Sequence, residues 1–136
     1  MKDVIIYLTL LRSYAKDFHY DAPKGDSFYA LHLLMDRVAE PINDFIDQIN
    51  EAHFMAQGLP VPLGRDIMAE VVEYIGNNYT PSIENVYSAI KMVQIAVLQA
   101  EASHDTFLAG KDVLSALSRH LAVSEALVSR CRQPQA

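Results

Sequence analysis

Glycine and proline are the residues that interrupt helices, and this chain places them at only a few points. Its five glycines and six prolines fall at Pro23 and Gly25, at Pro41, in a cluster from Gly58 to Gly64, at Gly76 and Pro81, at Gly110 and at Pro134. Inside a helix a glycine costs about 1 kcal/mol and a proline about 3 kcal/mol relative to alanine, so the stretches between these points are where long helices can form. The first is predicted from about Asp3 to Tyr20, with Val4, Leu8, Leu11, Ala15 and Phe18 on one stripe. Pro23, Lys24, Gly25 and Asp26 then read as a short turn. A second helix runs from about Ser27 to Gln57, carries Leu31, Leu34, Val38, Ile42, Phe45, Ile49 and Ala52 inward, and is kinked at Pro41, which has no N–H to donate. After Gly58, Pro60, Pro62 and Gly64, a short helix from Arg65 to Ile75 carries Ile67, Met68, Val71, Val72 and Ile75 at helical spacing, and Gly76 ends it. Thr80 and Pro81 read as N-cap and first turn of a third helix reaching about Phe107, with Glu84 at its positive end. Gly110 is expected to break it before a fourth helix from Lys111 to Cys131.

Short turns after the first and third helices make antiparallel hairpins, whereas the roughly 22 residues between the second and third can cross the length of a bundle. The expected fold is therefore all-α: a ferritin-like four-helix bundle, up-down-down-up, whose long crossover holds a short extra helix. A chain of 136 residues fits one domain, 1–136, and buries about two-thirds of its unfolded surface. Seventeen acidic against eleven basic residues give a net charge of −6, which argues against a protein that clamps phosphates, and neither end offers a useful basic tail. Nucleic-acid binding is thus not expected. The single cysteine, Cys131, excludes an intrachain disulfide, and no signal peptide or long apolar run is present. A reducing cytoplasm is the default setting, with no membrane role.

Within the second helix, four residues form a palindrome. His32 stands as far before a point between positions 41 and 42 as Glu51 stands after it, and Asp36 and Asp47 are related in the same way. Two antiparallel copies about a two-fold axis at that point would bring His32 and Asp36 of one chain against Glu51 and Asp47 of the other. One chain cannot do this alone, since Asp36 and Asp47 lie roughly 16 Å apart along a helix rising about 1.5 Å per residue. A tight hairpin centred between positions 25 and 26 places His19 opposite His32, so the first helix supplies a further ligand. Carboxylates with imidazoles and no thiolate suit Fe(II), Mn(II) or Zn(II).

The stretches Phe18-His19-Tyr20, Phe28 to Asp36 and Ile46 to Glu51 resemble the Dps-type miniferritins. In that family a first-helix His, a second His, an acid four residues later and a D-x-x-x-E pair fifteen residues past the second His form the ferroxidase centre. The resemblance covers about residues 14 to 58 and is architectural elsewhere. Tyr20 stands where the family usually has Trp, and the segment from His19 to His32 is one residue longer than usual. The resemblance implies a catalytic and metal-binding set of His19, His32, Asp36, Asp47 and Glu51, and Fe(II) as the metal. It also implies hydrogen peroxide or dioxygen as oxidant, and a homo-oligomeric cage, a dodecamer, that stores ferric iron. Carboxylate-rich coordination favours Fe(III) over Fe(II), and open positions admit the oxidant.

A solvated stripe is the ordinary fate of any one His–Asp pair at i, i+4, and a non-catalytic structural or assembly protein on the same fold is the alternative. Glu101 and His104 match the E-x-x-H of larger ferritin-like bundles but lack the second such motif and the first-helix Glu that site needs. His53 and His120 read as surface or satisfied interior histidines. Tyr7, Tyr14, Tyr29, Tyr74, Tyr79 and Tyr87 read as core or interface, and Cys131 lacks a matched His.

Overall fold

The computed structural model describes residues 1–21 and 28–132, all helix and connection with no strand among them. The expected turn at Pro23 to Asp26 and the start at Ser27 lie outside the described residues. The elements are α1 (Lys2–Asp21), α2 (Phe28–Ala39), α3 (Ile42–Ile49), α4 (Gly64–Ile75), α5 (Ile83–Ala102) and α6 (Leu108–Cys131), with a π-helical turn at Asn50–Phe54 and a 3-10 turn at Met55–Gln57 following α3. No helix among them is long and apolar enough to cross a membrane.

Helix α1 packs against α2 on one side and α5 on the other, while α6 closes the ring against α5, α3 and the π turn. The directions follow from side-chain neighbours. Asp3 and Val4 at the start of α1 line a cavity of about 240 Å³ with Ala96, Gln99 and Ala100 near the end of α5, so those two helices are antiparallel. At the opposite end, Tyr79 just before α5 donates a 3.0 Å hydrogen bond to Asp17 near the end of α1. The backbone N–H of Phe107, entering α6, donates to His53 in the π turn at 3.3 Å, so α6 runs against the α2–α3 rod. The order is up-down-down-up, as the loop lengths imply, in a helical bundle.

The expected stripe of Val4, Leu8, Leu11, Ala15 and Phe18 is buried, and Ile5, Ile6 and Leu10 join it. A helix apolar on nearly every side must be covered on nearly every side. The cover comes from α4, which lies across the outside of α1. Ile67 and Val71 are buried there, whereas Met68 and Val72 face out. The crossover is further tied down by a 3.0 Å hydrogen bond between the Tyr7 and Tyr74 hydroxyls.

Three expectations are corrected. The second helix turns at Glu40–Pro41, where the kink is expected, but it is not regular α-helix as far as Gln57, because it widens into the π turn. Pro41 keeps helical angles, φ −72° and ψ −12°, but cannot donate to the carbonyl of Arg37, so the ladder loses a rung there. Gly58 then ends the rod at φ 69°, a left-handed residue between the bonds Gly58 N–H to Met55 O and Leu59 N–H to Phe54 O, which satisfy the last carbonyls. Second, α5 starts at Ile83 and not at Thr80–Pro81. Ser82 is its N-cap, and its hydroxyl accepts the N–H of Asn85 at 3.1 Å. Third, Gly110 is no breaker but lies buried inside α6, where a Cβ would stand 3.2 Å from the Cβ of His53. The position is small because the π turn approaches it closely.

Candidate metal centre

His19 sits on the last full turn of α1 and is 6% exposed. His32 follows the first turn of α2. The hairpin brings the two rings face to face, centroids 3.5 Å apart and planes 22° from parallel. The Nδ1 of His19 donates to the backbone carbonyl of His32 at 2.7 Å, and the Nδ1 of His32 donates to the carbonyl of His19 at 2.9 Å. The second bond satisfies one of the carbonyls that the end of α1 leaves without an intrahelical partner. A carbonyl can only accept, so each Nδ1 carries a proton, and Nε2 is the nitrogen of each ring left to offer a lone pair to a metal. Tyr20 stands edge-on to His19, centroids 4.9 Å apart, and Phe28 stacks beside His32 at 5.4 Å.

Asp36, one turn beyond His32, reaches across to α1. Its Oδ1 lies 3.0 Å from the Nζ of Lys16 and 3.4 Å from the Nδ1 of His19. The Lys16 hydrogen bond, more than the neighbouring imidazoles, holds this carboxyl below its ordinary range against the opposing effect of desolvation. Three of the five expected residues are thereby gathered at one end of the bundle.

Asp47 on α3 and Glu51 in the π turn are exposed and stand apart from that end. Among the described residues no three His, Cys, Asp or Glu side chains are grouped so as to hold a metal ion. The trio of His19, His32 and Asp36 falls short for a geometric reason. In-plane lone pairs of stacked, nearly parallel rings do not converge on one ion at a bond length of about 2.1 Å. The palindrome also rests on a continuous helix, whereas the turn at Glu40–Pro41 lies at its centre and the wide π turn alters the azimuth of Glu51 relative to Asp47.

Lys16 escaped the reading of the sequence. The signal was present, since Lys16 and His19 are three apart and share a helix face, but a lysine in that position is ordinarily solvated. His53 and His120 are satisfied without a metal. His53 accepts the Phe107 N–H on Nδ1, and burial lowers its pKa, so it is neutral with its proton on Nε2. His120 places Nε2 3.1 Å from the Val38 carbonyl. Tyr7, Tyr14, Tyr74 and Tyr79 pair at the seam between α1 and the crossover, whereas Tyr29 is exposed.

No protein-family model matches the chain, and no curated protein or solved structure matches it.

Proposed function

We propose that this protein binds Fe(II) at centres shared between two antiparallel copies, oxidises it with hydrogen peroxide or dioxygen, and holds the ferric product within a homo-oligomeric cage. The observation that carries this is the stacked pair of His19 and His32, each ring committing its Nδ1 to a backbone carbonyl so that Nε2 is the nitrogen left for a metal, with the Asp36 carboxylate 3.4 Å from the Nδ1 of His19 at the same end of the bundle. Asp47 and Glu51, exposed on the same rod, would come from the second copy. Imidazole and carboxylate donors without thiolate fit Fe(II), and equally Mn(II) or Zn(II). Peroxide would take one electron from each of two ferrous ions and, with two protons, leave as two waters. Carboxylates favour the ferric product by charge, and the part-buried hydrogen bonds at Nδ1 hold the rings in orientation.

A second reading has its own observation. The Lys16–Asp36 pair and the stacked rings are already satisfied within one chain, which favours a non-catalytic assembly protein on this bundle. Calorimetric titration of Zn(II), and of Fe(II) without oxygen, separates the two. The proposal expects binding that is lost in both His32→Ala and Asp47→Ala, since each removes a direct ligand. Unchanged stoichiometry in both variants, or no binding by the unaltered protein, overturns it.

A further inference from the structure

Away from the histidines, tyrosines from three parts of the chain converge where α1, α4 and the connection before α5 meet. Tyr14 of α1, Tyr74 near the end of α4 and Tyr79 of the connection wall a hollow of about 490 Å³, with Asn78 and Asn85 among its polar residues. That volume lies in the range of about 300–1,000 Å³ in which small ligands are held. We infer that this hollow is a binding site for a small organic cation of the quaternary ammonium type, held against tyrosine rings.

The rings are fixed within the bundle itself. Tyr14 and Tyr79 lie against each other with centroids 5.4 Å apart. Tyr74 stands edge-on to Tyr7 at 5.5 Å, and the two hydroxyls are bonded at 3.0 Å. The Tyr79 hydroxyl donates to Asp17 at 3.0 Å. Side chains already ordered in this way lose little freedom when a ligand arrives.

The chemistry of the walls selects a cation, and one with an alkylated nitrogen. The face of an aromatic ring is the negative end of its quadrupole and attracts a cation within about 6 Å of the centroid. Donation to a carboxylate leaves more electron density on the Tyr79 ring. Burial, and then Asp17, push that hydroxyl above the ordinary tyrosine range, so the phenol keeps its proton. Tyr74 also borders a second hollow, which Glu70 and Glu73 line, and no lysine or arginine lines either one. The field is therefore negative without a side-chain cation to compete. A metal ion or a bare ammonium needs oxygen ligands or acceptors in direct contact, but none of the residues lining the tyrosine hollow is a carboxylate. A quaternary nitrogen gives up no hydrogen bond on leaving water. A sugar would need free polar partners, whereas Asn85 already donates its backbone N–H to Ser82 and its side-chain amide to the Thr80 carbonyl.

Choline, and the uncharged alcohol in which carbon replaces its nitrogen, are the probes. Each is titrated into the full chain, and binding is read from tyrosine ring-proton shifts by nuclear magnetic resonance. The two have the same shape, so their difference reports the charge. Choline is expected to bind about tenfold more tightly than the alcohol. Tyr79→Leu should weaken choline about fivefold. Asp17→Asn, which keeps every ring, should weaken choline about twofold and leave the alcohol unchanged, and Tyr74→Phe should keep most of the affinity, each variant being shown helical by circular dichroism. Cosedimentation with phosphatidylcholine vesicles tells a lipid headgroup from a free solute, and either source supports the site. Equal affinity for choline and the alcohol, or choline binding that Tyr79→Leu and Asp17→Asn both leave unchanged, overturns the inference. So does the absence of any tyrosine shift up to about 10 mM choline, ten times a millimolar Kd, or a shift produced by glucose and not by choline.

Discussion

At the scale of single residues, Asp36 is the side chain on which most depends. Its carboxyl is held below the ordinary range chiefly by the hydrogen bond from Lys16. A carboxyl whose folded pKa is depressed adds stability that is present above its unfolded pKa and is lost as pH falls through the folded one. Because both partners are nearly a third exposed, the pair is worth less than about 1 kcal/mol. Thermal melts from pH 7 down to about pH 2 should therefore show Asp36→Asn slightly less stable than the unaltered protein at neutral pH. The gap should begin to narrow at about pH 4, the ordinary carboxylate range, and close as pH falls through the lower folded value. A gap that is constant over this range would mean the carboxylate charge contributes nothing. His19 and His32 were legible as a pair because hairpin symmetry is a property of spacing alone. Lys16 was not, because whether a surface lysine points to water or to a neighbouring helix is decided by what that helix carries.

At the scale of elements, helix ends show where local signals compete. Thr80 followed by Pro81 is as good a start signal as any in the chain, yet the hydroxyl of Ser82 makes the cap, and Thr80 contributes only its backbone carbonyl, to the Asn85 side chain. Ser82→Ala should cost about 1 kcal/mol and lower Tm by about 3–5 °C. Thr80→Ala should cost clearly less, and equal losses in calorimetric melts would put the cap back at Thr80. Helix α4 presents a different case. Among its residues only Ile67 and Val71 are buried, so it is held by little more than those two and the tyrosine pair with α1. Amide hydrogen exchange across residues 64–75 should be faster than across the core of α1 by at least about tenfold, through local opening that leaves the bundle intact. Uniform protection would mean that the crossover is part of the cooperative core.

For the whole molecule, the question is whether two copies complete each other. If each centre takes His32 and Asp36 from one chain and Asp47 and Glu51 from its mate, a His32→Ala chain paired with a Glu51→Ala chain has one doubly damaged centre and one intact centre. Neither parent alone has an intact centre. After co-refolding with random pairing, about half the dimers are mixed and half of their centres are whole, so roughly a quarter of the unmutated ferroxidase activity should return. No recovery, in a mixture shown by mass spectrometry to contain mixed dimers, would mean the ligands do not meet across a two-fold axis. Pro41 at the centre of the palindrome gives the rod a bend, so two copies would meet most closely at one place along it.

The sequence by itself determined that the chain is helical, that its helices are interrupted near Pro41, from Gly58 to Gly64 and at Gly76, and that the stripe from Val4 to Phe18 is buried. Backbone chemistry at glycine and proline is local, and an apolar stripe such as Val4 to Phe18 has one low-energy destination. The up-down-down-up order followed from loop lengths for the same reason, since a connection of about 22 residues can span a bundle and one of a few residues cannot. Only the tertiary structure decided that Gly110 stays helical, that residues 50–54 widen into a π turn against α6, and that Asp36 pairs with Lys16. Each of these depends on the distance between side chains on different helices. That distance is set by how the helices rotate and settle to fill the core, and no spacing along one chain records it.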